Sequence, residues 1–398
     1  MRESLGALRE REFRLLFSGQ LVSLLGDSFT SVALAFAVLA IGSPTALGVV
    51  FAAKSVPLVG FLLVGGVFAD RLPRRTVMLT ADAVRMACQA GTATLVLTHT
   101  AQVWQIAAIQ AVSGTATAFF NPASTGLTPM TVSEERLQQA NALRGISMSA
   151  AGLVGLTAGG LAVAAVGPGW ALVADAASFG GSAFFLSRLR LPAHVGLEPR
   201  SFLADLAEGW REFTQRSWVV VVVLSASFGN AVWSFFTVLG AVVAKQSLGG
   251  PLAWATILAG SSVGALAGAA VALRLRPRHP LLFGSYFVGL LAVPLALLAL
   301  RLPALVIAAG AVLGGAGNLV FNTFWETSLQ RHVPPHALSR VSAYDWFGSL
   351  LFQPIGLAVA GPLAAGIGIS NALWLAAATM VTTTAMCIAT PSLRTLTL

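Results

Sequence analysis

Four charged residues within or near the ends of long apolar segments are the first candidates for chemistry in this sequence. They are Asp27, Lys54, Asp175 and Glu326. Where such a segment crosses a membrane, a charge at the bilayer centre costs roughly 2.5–3.5 kcal/mol on insertion scales, so intramembrane charges are usually functional or paired. We therefore predict that these four residues serve proton coupling or substrate recognition.

The positions of Asp27 and Lys54 in the first two apolar segments predict an ion pair. At 1.5 Å per residue, their depths below the outer ends of the segments differ by about 7 Å. Two long side chains on adjacent antiparallel helices can bridge that gap. Protonation of Asp27 would then loosen the pair and bias a conformational equilibrium. The alternative is a permanent structural ion pair.

The other acids have structural alternatives as well. Asp175, flanked by small residues, fits either a cavity lining or a pair within its own half of the chain. Glu326 fits an inner cavity, but a salt bridge with Arg331 at the membrane interface is the favoured interpretation. Asp345 begins a predicted helix, where an acid is favourable with the helix dipole, so a role in a gate is secondary.

The composition predicts a membrane protein. Of 398 residues, 56% are hydrophobic and 10% charged, and the mean hydropathy is +0.80. Soluble domains carry roughly 25% charged residues, so an ordinary soluble enzyme, a disordered protein and a secreted disulfide scaffold are excluded. Cys88 and Cys387 lie far apart in apolar runs, so neither a disulfide framework nor a metal site is expected.

The apolar segments predict an all-α membrane protein with twelve transmembrane helices, at about 20–25 residues for each span plus a short connection. They lie near 13–41, 45–69, 76–98, 102–131, 139–166, 168–189, 217–245, 252–273, 280–300, 303–330, 339–364 and 369–390.

A more polar stretch divides these segments into an N-terminal six-helix bundle (1–190), a cytoplasmic linker (191–216) and a C-terminal six-helix bundle (217–398). Within the linker, Phe202, Leu206, Trp210 and Phe213 recur at helical spacing. This pattern predicts a short helix in the cytoplasmic membrane interface. A linker helix that only covers the protein is an equal alternative.

Basic residues define the orientation. Of the 24 lysines and arginines, all but four lie at the termini or in connections that an alternating path places on the side of the N-terminus. The exceptions are Lys245 and Arg301 on the opposite side, and Lys54 and Arg85 within segments. Because cytoplasmic connections are enriched in Lys and Arg, both termini are predicted to be cytoplasmic, which requires an even number of spans.

A weak internal repeat supports the division into halves. At a shift of 201 residues, identical residues meet in the fourth and fifth segments of each half. The pairs are Gly114/Gly315, Phe120/Phe321, Asn121/Asn322, Val132/Val333, Leu137/Leu338, Ala142/Ala343, Gly155/Gly356, Leu156/Leu357 and Gly160/Gly361. Two six-helix pseudo-repeats are the simplest interpretation, and such transporters bind substrate near the bilayer midplane between repeats.

The connection after the second segment reads Gly66-Val-Phe-Ala-Asp70-Arg71-Leu-Pro-Arg74-Arg75. It resembles the signature loop of the major facilitator superfamily, with Pro73 at a position where the family often has glycine. The resemblance implies that Asp70 braces the cytoplasmic ends of the two halves and releases them as the transporter rocks. The alternative is that the arginines of this loop only enforce topology.

The predicted cytoplasmic gate extends from this loop to nearby charges. Asp82 and Arg85, spaced i, i+3 on the third segment, are expected to continue the loop cluster. The gate set is Gly66, Asp70, Arg71, Arg74, Arg75, Asp82, Arg85 and Asp345.

Further stretches resemble the drug:proton antiporter branch that includes macrolide and siderophore exporters. They are Gly19-Gln20…Ser23…Gly26-Asp27, Asn121-Pro122-Ala123, Ala140-Asn141-Ala142-Leu143 and Arg340-Val341-Ser342-Ala343. The resemblance implies proton-coupled efflux of hydrophobic small molecules. Gly155-Leu156-Thr-Ala-Gly159-Gly160 is similar to an antiporter signature with Leu156 in place of proline, which leaves the direction of transport open. An uptake carrier or facilitator of the same fold, and a non-transporting sensor or scaffold, are the alternatives.

Several classes of chemistry are not indicated by the sequence. It contains no GxxxxGK[ST] phosphate loop, no HExxH pair and no GxSxG motif, so ATP hydrolysis, zinc catalysis and serine hydrolysis are not expected. We expect no enzyme activity, no cofactor, no metal and no nucleic-acid partner. The expected partners are a small hydrophobic substrate, protons and the lipid bilayer, for a monomer in the inner (plasma) membrane of a bacterium.

Overall fold

The structure of this protein is a computed structural model. It describes the backbone of residues 6–191, 202–272, 274–275 and 277–391. Within its helices, some side chains lie outside the description, namely those of residues 66–71, 134, 138, 142, 202–206, 335–337, 339 and 340. The described residues contain no β-strand, and the all-helical class predicted from the sequence is confirmed.

The first half of the chain forms long helices that coincide with the predicted segments. They are α1 (Arg11–Ile41), α2 (Pro44–Arg71), α3 (Arg74–Leu97), α4 (Val103–Leu127), α5 (Leu137–Val166) and α6 (Pro168–Ser187). Proline is the first residue of α2 and of α6, where its fixed φ suits a helix start and its missing N–H removes no helical hydrogen bond.

The second half adds a short helix, α7 (Phe202–Thr214), at the position where the linker predicts one. The remaining helices are α8 (Ser217–Val243), α9 (Pro251–Ala272), α10 (Pro280–Val288), α11 (Ala292–Ala299), α12 (Ala304–His332), α13 (Pro335–Leu350), α14 (Gln353–Ile367) and α15 (Ile369–Ala389). The predicted segment near 280–300 is therefore split into α10 and α11, and that near 339–364 into α13 and α14.

The break between α13 and α14 follows from Pro354, which offers no N–H to the carbonyl of the preceding turn. Side chains of α8 satisfy backbone groups at this break. Asn230 donates to the carbonyl of Ser349 at 2.9 Å, and the N–H of Phe352 donates to the hydroxyl of Ser227 at 3.1 Å. The broken span is thus fixed to α8 by polar contacts.

Backbone contacts divide the chain into two compact units. The first contains Met1–Ile41 and Ala53–Pro199, and the second contains Gly42–Ala52 and Arg200–Leu398. The domain boundaries predicted from the sequence, 1–190, 191–216 and 217–398, stay a prediction.

Ten helical spans in the described part of the chain are long and apolar enough to cross a membrane. Two of them, Pro280–Ala299 and Val341–Ile367, each join a pair of the helices given above. The two predicted spans outside this set are α3 and α4. Asp82, Arg85, Gln89 and Gln110, all buried, lower the apolar character of these two helices. The count of twelve spans stays a prediction.

Small residues allow α1 and α5 of the first unit to pack closely. A Cβ atom at Gly155 would lie 2.6 Å from the Cβ of Ser28, and one at Gly159 would lie 2.9 Å from the Cα of Phe29. The stretch that resembles an antiporter signature is therefore a helix-packing surface in this structure, as small-xxx-small spacing favours in membranes.

A row of glycines spaced four apart does the same for α9 and α12 in the second unit. A Cβ atom at Gly260, Gly264 or Gly268 would meet backbone atoms of α12. At Gly264 it would collide with the carbonyl oxygen of Val312 and would lie 2.9 Å from the nitrogen of Ala316. Because both obstacles are backbone, neither can move aside by a rotamer change.

We expect Gly264→Ala to lower the thermal unfolding midpoint of the detergent-purified protein by several degrees, because overpacking costs roughly 1–3 kcal/mol. The matched control is Gly366→Ala in α14, where a Cβ atom would have no neighbour within 4 Å. The control is expected to leave the midpoint unchanged or to raise it slightly. Equal midpoints for the two variants would contradict the packing argument.

Candidate functional site

Polar residues on α3 and α6 of the first unit form two facing stripes. Asp82, Arg85 and Gln89 lie on one face of α3, and Asp175, Ser178 and Ser182 follow the same i, i+3, i+7 spacing on α6. The stripes meet in antiparallel register: Ser182 donates to Asp82 at 2.6 Å, and the amide of Gln89 donates to Asp175 at 2.6 Å.

Arg85 is the cation at one end of this interface. Its guanidinium forms an ion pair with Asp82, whose side chain is fully buried. Its carbon Cζ also lies 4.0 Å from the ring centroid of Phe120 on α4 and 4.4 Å from that of Phe179 on α6. A cation over aromatic faces is stabilised most where water is absent, so Arg85 joins three helices.

Asp27 of α1 is the second carboxylate near Arg85. One of its oxygens lies 3.8 Å from Nη1 of Arg85, and its side chain is 40% exposed. The side chain of Arg85 itself is only 4% exposed. Asp27 is therefore the exposed member of this ion-pair cluster, while Asp82 is buried.

Asp175 lies at the other end of the interface and is fully buried. Its carboxylate accepts hydrogen bonds from the hydroxyl of Thr30 on α1 and the amide of Gln89 on α3. Gln110 of α4 donates in turn to Gln89 at 3.2 Å. Gly26 makes room for this arrangement, because a Cβ atom there would lie 2.5 Å from the carboxylate of Asp175.

The predicted partner of Asp27 is different in the structure. Arg85, not Lys54, lies beside Asp27, and among the described side chains Lys54 forms no ion pair. The prediction rests on depth along each helix, which does not determine the side of the helix on which a residue lies. Arg85 is the cation that faces α1. Lys54 is half-buried on α2, and its carbonyl lies against Gly114 of α4.

The predicted cytoplasmic gate is only partly described. Gly66, Asp70 and Arg71 end α2, and their side chains lie outside the described residues. Arg74 donates to the carbonyl of Gly126, near the end of α4. Arg75 donates to the carbonyls of Leu186 at 3.0 Å and Ser187 at 2.5 Å, at the end of α6.

These arginines therefore donate hydrogen bonds to carbonyl groups at helix C-termini, where the helix dipole favours a cation. The prediction that Asp82 and Arg85 extend this loop cluster is corrected. The structure groups both with Asp27 in the core of the first unit, because their i, i+3 spacing turns them towards α1 and α6 rather than along the loop.

A cavity of about 770 Å³ lies within the second unit. Of the described residues that line it, Glu326 and Asp345 are the charged ones. Three tryptophans and several amide side chains are also in the lining, among them Trp233, Trp325, Trp346, Asn230, Asn318 and Asn322. The salt bridge favoured from the sequence for Glu326 is absent, since Glu326 and Arg331 form no ion pair among the described side chains.

Asp345 is held in place on α13. Its carboxylate accepts hydrogen bonds from the indole N–H of Trp325 at 2.9 Å and the hydroxyl of Ser349 at 3.2 Å. In the repeat register Asp345 corresponds to Arg144, which donates to the hydroxyls of Ser124 at 3.3 Å and Thr128 at 2.8 Å. Ser124 corresponds to Trp325, so each half makes the same helix–helix contact with opposite charge.

Several residues of these sites are missing from the sequence-based candidates. Gln89, Ser182 and Thr30 are uncharged, and uncharged polar residues are common in membrane helices. The usable signal is their spacing, because each continues an i, i+3 or i+4 row from a charged residue already singled out. Asn322 and Asn318 lie one and two turns before Glu326 at i, i+4 spacing, so the same signal applies to them, whereas Asn230 continues no such row from a charge.

The described residues thus form helices able to cross a membrane, with buried charge in one unit and a large cavity in the other, as is typical of membrane transporters. The family model described as transmembrane secretion effector, MFS_3, matches residues 2–396, and the chain belongs to this family. The predicted major facilitator membership is thereby confirmed. The protein is a multi-pass protein of the bacterial plasma membrane, in a family of transporters rather than enzymes.

Known transporters resemble this chain in sequence or in fold. The multidrug efflux pump Tap of Mycobacterium tuberculosis (strain ATCC 25618 / H37Rv) is 26% identical over 417 residues, covering 96% of this chain and 94% of Tap. The crystal structure of the nucleoside transporter NupG has a TM-score of 0.74 at 12% identity, over 95% of this chain and 98% of that one. An inward-facing bacterial homologue of the iron transporter ferroportin has a TM-score of 0.73 at 16% identity, over 96% and 99%. At these identities the two structures show the fold alone.

We expect Asp82→Asn to destabilise the protein far more than Asp27→Asn. Removing the fully buried carboxylate leaves Arg85 without its close partner, and breaking a buried ion pair costs about 3–5 kcal/mol. Asp27 is partly exposed and more distant, so its loss is expected to cost about 1 kcal/mol or less. The measurement is the unfolding midpoint and the monodisperse yield of each purified variant. A larger loss for Asp27→Asn would contradict the assigned roles.

Proposed function

We propose that this protein is a proton-coupled exporter of hydrophobic small molecules that works by alternating access. In this proposal twelve helices form two six-helix pseudo-repeats, residues 1–190 and 217–398, joined by the linker 191–216. Both termini lie in the cytoplasm, and the transporter acts as a monomer. Asp70 and the arginines of its loop belong to the cytoplasmic gate.

The observation that supports proton coupling best is the difference between the two carboxylates beside Arg85. Asp82 keeps the guanidinium paired inside the unit, while Asp27 is 3.8 Å away and 40% exposed. Asp27 can therefore take up or release a proton without leaving Arg85 unpaired. Its charge state changes the attraction between α1 and α3, which is a direct route from protonation to helix position.

Asp175 is the second candidate in this network. Its hydrogen bonds come from the neutral donors Thr30, Gln89 and Ser178, and no ion pair to it exists among the described side chains. Gly26, the residue before Asp27 on α1, packs against Asp175, so both carboxylates belong to one contact between α1 and α6. Asp27 is proposed as the entry point, and Asp175 as the inner site.

Export rather than uptake is supported by the similarity to Tap, a multidrug efflux pump that matches nearly the full chain. Leu156, which stands in place of a proline in the antiporter-like stretch, does not disturb α5, and the glycines around it still pack on α1. A carrier or facilitator for uptake is the second candidate, because both directions use the same fold.

The test is transport in everted membrane vesicles energised to an acidic interior, with a panel of lipophilic dyes and macrolides. Wild type is expected to accumulate at least one compound. Accumulation is expected to fall at least tenfold with Asp27→Asn or a protonophore, because either removes the coupled proton. Glu135→Gln, a matched change at an exposed acid, controls for loss of charge and is expected to transport normally.

Each other result changes a specific part of the proposal. Accumulation that survives Asp27→Asn but not the protonophore would move the coupling site to Asp175 or Glu326. Accumulation that survives both would remove proton coupling. Proton-dependent depletion of the vesicle lumen would establish uptake, and a folded protein that moves none of the compounds would favour the sensor or scaffold.

A further inference from the structure

We propose that the cavity of the second unit is a binding site for amphiphilic organic cations, with the carboxylate of Glu326 as the anion that pairs with them. This inference rests on the proposed transport function and specifies the substrate class. It places recognition in the cavity of the second unit, separate from the acidic network of the first.

The sign of the charge in the cavity is the first argument. Glu326 and Asp345 line it, and no Lys, Arg or His occurs among its described lining residues. Two carboxylates in one low-dielectric space, without a basic partner, attract a positive ligand and repel a negative one. An anionic ligand would be repelled by these carboxylates, and a neutral ligand would gain no charge pairing from them.

The two carboxylates have different environments, which assigns the role to Glu326. Asp345 already accepts hydrogen bonds from Trp325 and Ser349, so it is occupied within the protein. Glu326 makes no hydrogen bond or ion pair among the described side chains, and it is exposed to the cavity. Its carboxylate is therefore available to pair with a cation that enters the cavity.

Aromatic side chains provide the second half of the recognition. Trp233, Trp325 and Trp346 line the cavity together with Phe321. Trp346 is 63% exposed, and Trp233 is braced by stacking on Phe236 with centroids 4.3 Å apart. Tryptophan faces bind organic cations and apolar rings alike. An inorganic cation would gain little from these walls, whereas an amphiphilic one gains from both kinds of contact.

The size of the cavity is consistent with such a ligand. At about 770 Å³ it lies in the range of about 300–1,000 Å³ that encloses drug-sized molecules. Asn318 and Asn322 add exposed amide groups to the polar side of the lining. The site therefore combines volume, apolar walls and a single unsatisfied anion.

The experiment compares tetraphenylphosphonium with tetraphenylborate, which have nearly the same size and shape but opposite charge. Equilibrium binding of each radiolabelled ion to the full-length protein is measured in neutral detergent, with excess unlabelled ion to define specific binding. We expect saturable binding of the phosphonium and at least tenfold weaker binding of the borate. Equal affinities, or tighter binding of the borate, would overturn the proposal.

Variants locate the site. Glu326→Gln is expected to weaken phosphonium binding at least tenfold, and Glu326→Asp to restore most of it, because the charge returns on a shorter side chain. Glu135→Gln, the exposed acid used above, is expected to bind as wild type. Unfolding midpoints identify any variant that is misfolded. Phosphonium binding that is unchanged in a folded Glu326→Gln protein would overturn the assignment.

Binding without a gradient separates this inference from the proposed function. Phosphonium binding that depends on Glu326, with no compound moved in vesicles, would support the cation site and contradict the exporter. Proton-driven transport of macrolides or dyes by a protein that does not bind the phosphonium would do the reverse.

Discussion

A guanidinium held away from water must find its partners inside the protein, and Arg85 imposes this condition on the first unit. Its partners come from four helices: Asp82 on its own helix α3, Asp27 on α1, Phe120 on α4 and Phe179 on α6. An unpaired buried charge costs several kcal/mol, so a shift of any one helix by a turn would be strongly unfavourable. This one side chain therefore constrains the register of these four helices.

The second unit repeats backbone features of the first unit with different charges. The one-residue connections at Gly167 and Gly368, 201 positions apart, both have a positive φ near 90°, which only glycine adopts without strain. Arg144 and Asp345 occupy equivalent positions with opposite charge, each bonded to the preceding long helix. The backbone pattern of the repeat is thus retained while its electrostatics have diverged, which leaves the cavity acidic.

The fold was largely accessible from the sequence, because a helix that crosses lipid needs a long apolar run and turn residues mark its ends. The all-helical class and the positions of most helices follow from these runs. The splitting of two spans was less accessible, since prolines such as Pro294 and Pro354 are tolerated in unbroken membrane helices too. The sequence identifies the charged residues of the site but not which of them pair. Depth along the helices predicts that Asp27 pairs with Lys54. The orientation of α1 and α3 about their own axes places Arg85 beside Asp27 instead.

The glycine row on α9 has a mechanical consequence for the cavity. Helices in backbone contact along three successive turns have little room to slide or tilt, so α9 and the part of α12 from Ala308 to Ala316 form a stiff wall of the second unit. The span α10–α11 passes through a single 3-10 turn at Gly289–Leu291 and has no glycine row of this kind. A change of cavity shape is therefore expected at this turn rather than along the contact of α9 with α12. Glu326 lies on the anchored helix α12, ten residues after Ala316.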